Sequence, residues 1–525
     1  MHSWRSLRRC TAPEWCATLT HRTLQRRCAA LLAVIVLALC RPAHAADFAL
    51  TRNLPMPAPG GSAWTPAQIA QLDRRISRLL RRPVLRGAQV GLLAIDSDRG
   101  TLLYSRNAGQ EFQPASNFKL IVGSAALDTL GPDFTFRTRV FSDGTIVDGV
   151  LHGNLYLKGG GDVHLRTRDL RDAAAAVAAS GITRVDGELV ADASRYDTQR
   201  YPQGWDWDDL PYYYAAVTSA LSLNENTIRL RITPGASVGG AVLLHEYPPT
   251  GSLRLVDRAI TGPAGSHDTA DLVRPWNHPH EIVVVGSYPL GRHESGDLAP
   301  AVPDPAIYAL DVFARALTAH GITIEGAQHI GTTPNDARLL WQHRSEPMPA
   351  LLADMWQPSD NLMAETFLKE LGVVEGGMPG TTTSGISLEQ RWLRGIGVNP
   401  ATVAIVDGSG LSNYDRITPR ALVAILQHDW DGPHRGLILD ALPVAGVVGT
   451  LQDSYVGSPA ARNVWAKTGT ISHVSTISGF IRTRYHGAVT FSLLVNDWVD
   501  PAPGADQELG QLRARLFSSI VTAPE

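Results

Sequence analysis

Cysteine is missing from most of this chain. The 525 residues include four, Cys10, Cys16, Cys28 and Cys40, and none follows. Beyond residue 40 this excludes disulfides, thiolate nucleophiles and cysteine-ligated metals together. Lysine is nearly as scarce: Lys119, Lys158, Lys369 and Lys467 are the only four among 47 basic residues. No apolar run after the N-terminal region has the length of a membrane span. A basic balance is lacking too. The net charge is −3, and the first 45 residues carry seven Arg against one acid, so the remainder sits near −9. That gives no electrostatic case for nucleic acid or an anionic membrane surface.

What stands at the N-terminus is an export pattern. Arg residues run to Arg27, an apolar stretch covers 29–40, and Pro42-Ala43-His44-Ala45 supplies a small-x-small site, predicting cleavage after Ala45. Twelve apolar residues are too few to span a bilayer comfortably. Leu37-Ala38-Leu39 offers no small residue before Cys40, so no lipoprotein anchor is read. The expectation is a signal peptide over 1–45 and a periplasmic mature chain. With 44% hydrophobic and 18% charged residues, a chain this long predicts two or more domains.

Thr65-Pro66 reads as a helix cap and first helical position, followed by Ile69, Leu72, Ile76 and Leu79 at helical spacing. Residues 89–96 and 101–105 predict a hairpin. The small, apolar stretch 114–127 predicts a buried helix. From about 134 to 300 short strand-like runs, Gly-rich turns and clustered aromatics predict a β-rich insertion. Helical patterns return at 305–320, 362–371 and 388–395. Residues 474–484 and 487–496 predict a second hairpin, and Leu509, Leu512, Leu516 and Ile520 share one face of a final helix. The expected organisation is one α/β domain built from 46–133 and 301–525, interrupted by an insertion over 134–300.

Three short motifs carry chemistry. Ser116-Asn117-Phe118-Lys119 is S-x-x-K, Ser359-Asp360-Asn361 is S-D-N, and Lys467-Thr468-Gly469 is K-T-G. Together they are the set of penicillin-binding proteins and class A β-lactamases. A serine hydroxyl needs a base beside it to attack an amide carbon. Positions i and i+3 share a helix face, so Ser116 and Lys119 can meet. Lysine can act as that base once burial and nearby positive charge strip its proton, and arginine cannot. Two of only four lysines fall in the two motifs that need one. In this reading Ser116 is the nucleophile, Ser359 relays a proton to the leaving amine, and Asn361 bonds the substrate backbone. Lys467 and Thr468 hold a terminal carboxylate. The amides of Ser116 and Thr470, next to Gly469, form an oxyanion hole. Taken singly, S-D-N also reads as a helix cap and K-T-G as a strand end and turn.

The sequence around these motifs resembles the class C penicillin-binding proteins, the D-alanyl-D-alanine carboxypeptidase/endopeptidase family (peptidase family S13). The resemblance rests on Gly153-Asn154-Leu155-Tyr156-Leu157-Lys158-Gly159-Gly160-Gly161-Asp162, Leu221-Ser222-Leu223-Asn224-Glu225-Asn226, Asp407-Gly408-Ser409-Gly410-Leu411-Ser412 and Gly449-Thr450-Leu451. It implies a penicillin-recognising, serine transpeptidase-like α/β domain, an antiparallel sheet flanked by helices, with inserted domains between the first two motifs. The gap from Ser116 to Ser359 is 243 residues, and class A β-lactamases have a much shorter one. The resemblance also implies a penicillin-sensitive enzyme that uses no metal or other cofactor. It would act on D-Ala-D-Ala termini and D-Ala-diaminopimelate cross-links of peptidoglycan stem peptides, and take β-lactams. By the same resemblance, Asp209 in Trp207-Asp208-Asp209-Leu210 and the aromatic Tyr214 would face the diaminopimelate side chain. The family usually has Arg after Asp-Gly-Ser-Gly-Leu-Ser, and this chain has Asn413, with Arg416 close by.

Two other clusters are weaker. His278-Pro279-His280-Glu281 lacks a third spaced ligand and reads as a surface loop rather than a metal site. Gly159-Gly160-Gly161 lacks the Lys-Ser/Thr of a phosphate loop and reads as a tight turn. Competing readings of the whole are a β-lactamase or esterase on the same scaffold, and a cell-wall-binding protein, which would have no use for Lys119.

Overall fold

The computed structural model describes residues 54, 56–292, 296–498 and 504–524. The expected export segment, with all four cysteines, lies outside them. The first helix, α1 (Pro66–Leu79), begins as expected. The Thr65 side chain accepts from the Gln68 amide, Gln68 reciprocates, and Pro66 takes a position with no amide to satisfy.

Strands β1 (Gln89–Asp96) and β2 (Leu102–Arg106) form a hairpin. They join three strands from the end of the chain, β3 (Val464–Ile471), β4 (Val474–Arg482) and β5 (Ala488–Asn496). The sheet is antiparallel throughout, in the order β2-β1-β5-β4-β3. Gln89 lies opposite Asn496 and Asp96 opposite Val489, so the two ends of the domain close directly on each other.

Helices on both faces of the sheet fix the layers. One face of the sheet carries Val90, Leu92, Phe491, Leu493 and Ile477, which pack on α1 and on the C-terminal helix (Ala505–Val521) through Leu72, Ile76, Leu512, Leu516 and Ile520. On the opposite face Leu93 packs on Val423 of the helix Pro419–Asp431. β4 and β5 are buried at almost every position, because both faces are covered by helices. The antiparallel sheet flanked by helices matches the expected α/β class.

Between the first and second motifs the chain builds a separate core. A mixed sheet orders Gln328–Ile330, Leu189–Asp192, Leu155–Lys158, Arg137–Ser142 and Arg338–Arg344 side by side. Helices Thr167–Ala179 and Pro305–Ala319 pack on it, with Leu170, Val177, Tyr308, Phe313 and Leu317 buried among Val140, Leu157 and Leu189. The return to the first domain expected at residue 301 therefore does not occur there. Residues 305–344 belong to the insertion. Helical periodicity marks 305–320 as a helix but does not say which core buries it. The strand Arg338–Arg344 is only half-buried and reads poorly as a strand.

Candidate active site

The segment of the first motif is not the uniform helix expected over 114–127. Ala115–Phe118 form a 3-10 turn that feeds directly into α2 (Lys119–Leu130). Ala115 has φ +47°, and Gly410 passes so close that a Cβ on it would stand 1.9 Å from the Ala115 carbonyl oxygen. That approach holds the turn in its unusual shape. Ser116 is left half-buried at the rim, while Asn117, Phe118 and Lys119 point inward.

Lys119 is fully buried. Its Nζ lies 2.9 Å from Ser116 Oγ, 2.5 Å from Asn361 Oδ1 and 2.7 Å from the Ser409 carbonyl oxygen. A neutral amine has two hydrogens and one lone pair. Asn361 and Ser409 accept the two hydrogens, which turns the lone pair toward the Ser116 hydroxyl. The same placement satisfies all three hydrogens of the ammonium form. Burial lowers the Lys119 pKa to about 8, against the opposing pull of Asp407, Asp360, Glu365 and Asp415. At neutral pH this raises the neutral fraction roughly 300-fold over an ordinary lysine.

The second and third motifs meet a few ångströms away. Ser359 has φ +70°, a left-handed conformation rare outside glycine and often found at functional sites. The next residue, Asp360, caps the helix α3 (Asn361–Gly376) by accepting from the Met363 amide at 3.0 Å. The S-D-N stretch thus caps a helix and also brings Ser359 to Lys467. Lys467 lies inside β3 rather than at a strand end. It is fully buried and donates to Ser359 Oγ at 2.8 Å and to the Thr468 carbonyl at 2.7 Å. Burial first, then the charge of Lys119, pushes its pKa well below the usual lysine range. Thr468 Oγ1 sits 2.7 Å from Thr450 Oγ1, on the outer side of the same strand.

Gly469 is required by a close approach. A Cβ there would stand 2.8 Å from the Ser116 amide nitrogen and 2.4 Å from Thr476 Oγ1. β3 therefore runs against the Ser116 amide, with exposed Thr470 next along it. Thr476, opposite Gly469 on β4, donates to the Pro114 carbonyl at 2.7 Å and accepts from Asn117 Nδ2 at 2.6 Å. Through these bonds the sheet grips the turn that carries Ser116.

The three substrate candidates divide. Tyr214 is brought to the site: its carbonyl accepts from Asn361 Nδ2 at 2.6 Å, and its hydroxyl donates to Asp209 at 3.0 Å. Asn361 is thereby engaged at both ends, by Lys119 and by the insertion, and its second Nδ2 hydrogen is left for a substrate carbonyl. Asn413 sits on another part of the rim. Its carboxamide accepts from Gln113 Nε2 and donates to Asp206 Oδ1, each at 3.0 Å. Arg416 turns back to the main-chain oxygens of Asn413 and Asp415. His278 and His280 are exposed on a turn, and among the described residues no cluster of three or more metal-ligating side chains occurs.

Sequence reading missed the residues that hold Lys119 from behind. The carbonyl of Ser409 reaches it because Asp407 folds its loop inward, accepting from the amides of Ser409, Gly410 and Ser412 and from Trp205 Nε1 at 2.8 Å. Glu365, one turn past Asn361, accepts from the amides of Gly408 and Ser409 at 3.0 and 2.8 Å. It is buried, and that burial pushes its pKa up to about 8. A signal existed: Glu365 is an acid inside the apolar run Leu362-Met363-Ala364-Glu365-Thr366-Phe367-Leu368.

With the three motifs converging, the comparison with known proteins is direct. The D-Ala-D-Ala carboxypeptidase 3 (S13) family matches residues 72–514. The chain belongs to this family. A D-alanyl-D-alanine carboxypeptidase from Actinomadura sp. is 35% identical over 478 residues, 87% of each chain. The D-alanyl-D-alanine carboxypeptidase DacB of Haemophilus influenzae is 25% identical over 414 residues, 78% of this chain and 86% of that one. The crystal structure of penicillin binding protein 4 from H. influenzae superposes with a TM-score of 0.77, covering 85% of this chain and 99% of the other at 24% identity. That likeness shows the penicillin-recognising α/β fold.

Proposed function

We propose that this protein is a penicillin-sensitive serine D-Ala-D-Ala carboxypeptidase and DD-endopeptidase, acting on peptidoglycan stem peptides in the periplasm. Family membership and the 35% identical Actinomadura carboxypeptidase support the reaction class. The observation that carries the chemistry is the Lys119 amine, buried, poised near neutrality and aimed at Ser116 Oγ.

Ser116 Oγ attacks the carbonyl carbon of the penultimate D-Ala, and its proton passes to Lys119 Nζ. The oxyanion lies against the Ser116 and Thr470 amides. Collapse breaks the peptide bond, and the Ser359 hydroxyl delivers a proton to the leaving amine while taking one from the Lys467 ammonium bonded to it. Water then releases the acyl group from Ser116. Thr468 and Lys467 hold the terminal carboxylate, whose charge favours protonated Lys467. Asp209, Tyr214 and Asn413 lie on the side of the diaminopimelate arm. The Asn361–Tyr214 bond supports this placement of the insertion at the substrate's flank. Export rests on the Arg-then-apolar pattern of 1–45. No described helix is long and apolar enough to cross a membrane.

The test is to incubate the mature protein with fluorescent penicillin and then with pentapeptide muropeptides. A stable label that vanishes in Ser116→Ala, with release of D-Ala, is expected. Rapid penicillin turnover with no action on muropeptides overturns the proposal in favour of a β-lactamase.

A further inference from the structure

A second feature lies away from Ser116, where the insertion meets α3. A cavity of about 350 Å³ is lined by Phe134, Phe136, Arg137, Arg139, Gly160 and Arg195 among others. That volume lies within the range of about 300–1,000 Å³ typical of small-molecule sites. The strand register explains its charge. Arg137 and Arg139, two residues apart, project from the same face of one strand. Arg137 lies directly opposite Arg344 on the neighbouring strand, and Arg139 lies between Gln342 on one side and Lys158 on the other.

Like charges placed opposite each other in a sheet destabilise it. Acids at these cross-strand positions would remove the penalty, yet the chain does not supply them. Lys158 is neutralised by Asp192 at 2.9 Å, and Arg195 by Glu370 on α3. Arg139 Nε donates only to the neutral Gln342, at 2.9 Å. Among the described residues, Arg137, Arg139 and Arg344 have no carboxylate within ion-pair distance, and exposed Asp133 is the one acid on the cavity wall. Burial, then the charges of Arg137, Arg195 and Arg344, pulls Arg139 below the usual guanidinium range. A local rule broken without compensation at the wall of a cavity marks a candidate functional site.

We propose that this cavity is a binding site for a multiply charged oxyanion, held by the planar forks of Arg137 and Arg139, with the charge of Arg344 on the neighbouring strand beside them. Guanidinium forks match carboxylate and phosphate oxygens two at a time. Phe134, stacked edge-on against Phe136 at 4.9 Å between centroids, supplies an apolar wall beside them. The site is distinct from the acylation centre. It touches α3 through Arg195 and Glu370, nine residues beyond Asn361, about 14 Å along the helix.

The test is calorimetric titration of the mature protein with citrate and, separately, with pyrophosphate, each against sodium chloride of equal ionic strength. Saturable binding of either probe to wild type is expected, with a melting temperature raised by about 2–4 °C near saturation. The stronger probe identifies the ligand's oxyanion as carboxylate or phosphate. Arg137→Gln/Arg139→Gln is expected to bind at least about tenfold more weakly while melting no lower than wild type without ligand, since a repulsion has been removed. Arg344→Gln, which removes a charge beside the cavity but no residue of its wall, is expected to weaken binding less. Penicillin labelling of Ser116 reports whether each variant is folded, and is independent of the cavity. Responses to both probes no larger than to chloride, or variants that bind as wild type does, overturn the proposal.

Discussion

Raising the pH from 7 to 9 is expected to speed acylation of Ser116 about tenfold and then to stop speeding it. The number follows from one buried amine. Burial lowers Lys119 to about 8, and the carboxylates Asp407, Asp360, Glu365 and Asp415 keep it from falling further. At pH 7 about a tenth of the molecules then carry the neutral base, and at pH 9 about nine-tenths do. An unshifted lysine makes a different prediction: the rate would climb about a hundredfold over the same interval and show no plateau. The assay is the second-order rate of fluorescent-penicillin labelling, corrected for alkaline hydrolysis of the probe. Lys119→Arg serves as the control, because a guanidinium reaches the same partners but keeps its proton. It is expected to lose about 10²–10⁴ in rate and the plateau with it. A wild-type rate that keeps climbing tenfold per pH unit through 9 would refute the reasoning, and so would a Lys119→Arg variant that labels normally.

Three further outcomes follow from the geometry. Gly469→Ala is expected to slow labelling at least about tenfold, because the new Cβ would lie 2.8 Å from the Ser116 amide and overpacking of this kind costs about 1–3 kcal/mol. Ser359→Ala, which removes the hydroxyl bonded to Lys467 at 2.8 Å, is expected to cut D-Ala release about a hundredfold while the fold survives, as read by calorimetry. Asn413→Arg is expected to raise the preference for substrates with a free over an amidated diaminopimelate carboxylate. An unchanged ratio in muropeptide digests would show that position 413 does not set it.

Much of this architecture was legible because it is local. The cap at Thr65-Pro66, the alternation in 489–495 and the i,i+3 relation of Ser116 and Lys119 each need only neighbouring residues. The misplaced boundary at 301 failed for the opposite reason. Nothing within 305–320 states that Phe313 and Leu317 pack on Val140 rather than on the motif-bearing sheet; that is decided by strands Gln328–Ile330 and Arg338–Arg344 returning to pair with the insertion. Ser409 was missed for a related reason. It reaches Lys119 through a backbone carbonyl, and a carbonyl has no letter of its own in a sequence.

The scarcity of lysine, first met as a compositional oddity, divides into two physical situations. Lys158 and Lys369 are ion-paired, with Asp192 and Asp197. Lys119 and Lys467 bond only hydroxyls, a side-chain amide and carbonyls, and no carboxylate touches either amine. A contacting carboxylate would hold the proton on and defeat a base. The acids near Lys119 are instead kept one residue removed. Asp407 and Glu365 spend their oxygens on the amides of the 408–412 loop, and burial with mutual repulsion drives Glu365 and Asp415 toward their neutral forms. The same acids therefore shape the loop that presents the Ser409 carbonyl, while adding less negative charge than their number suggests. The charge of Lys119 adds to burial in lowering the cost of losing a proton from Lys467. A chain that uses arginine almost everywhere else thus has lysine at two buried positions that no carboxylate touches, and otherwise only where a carboxylate waits.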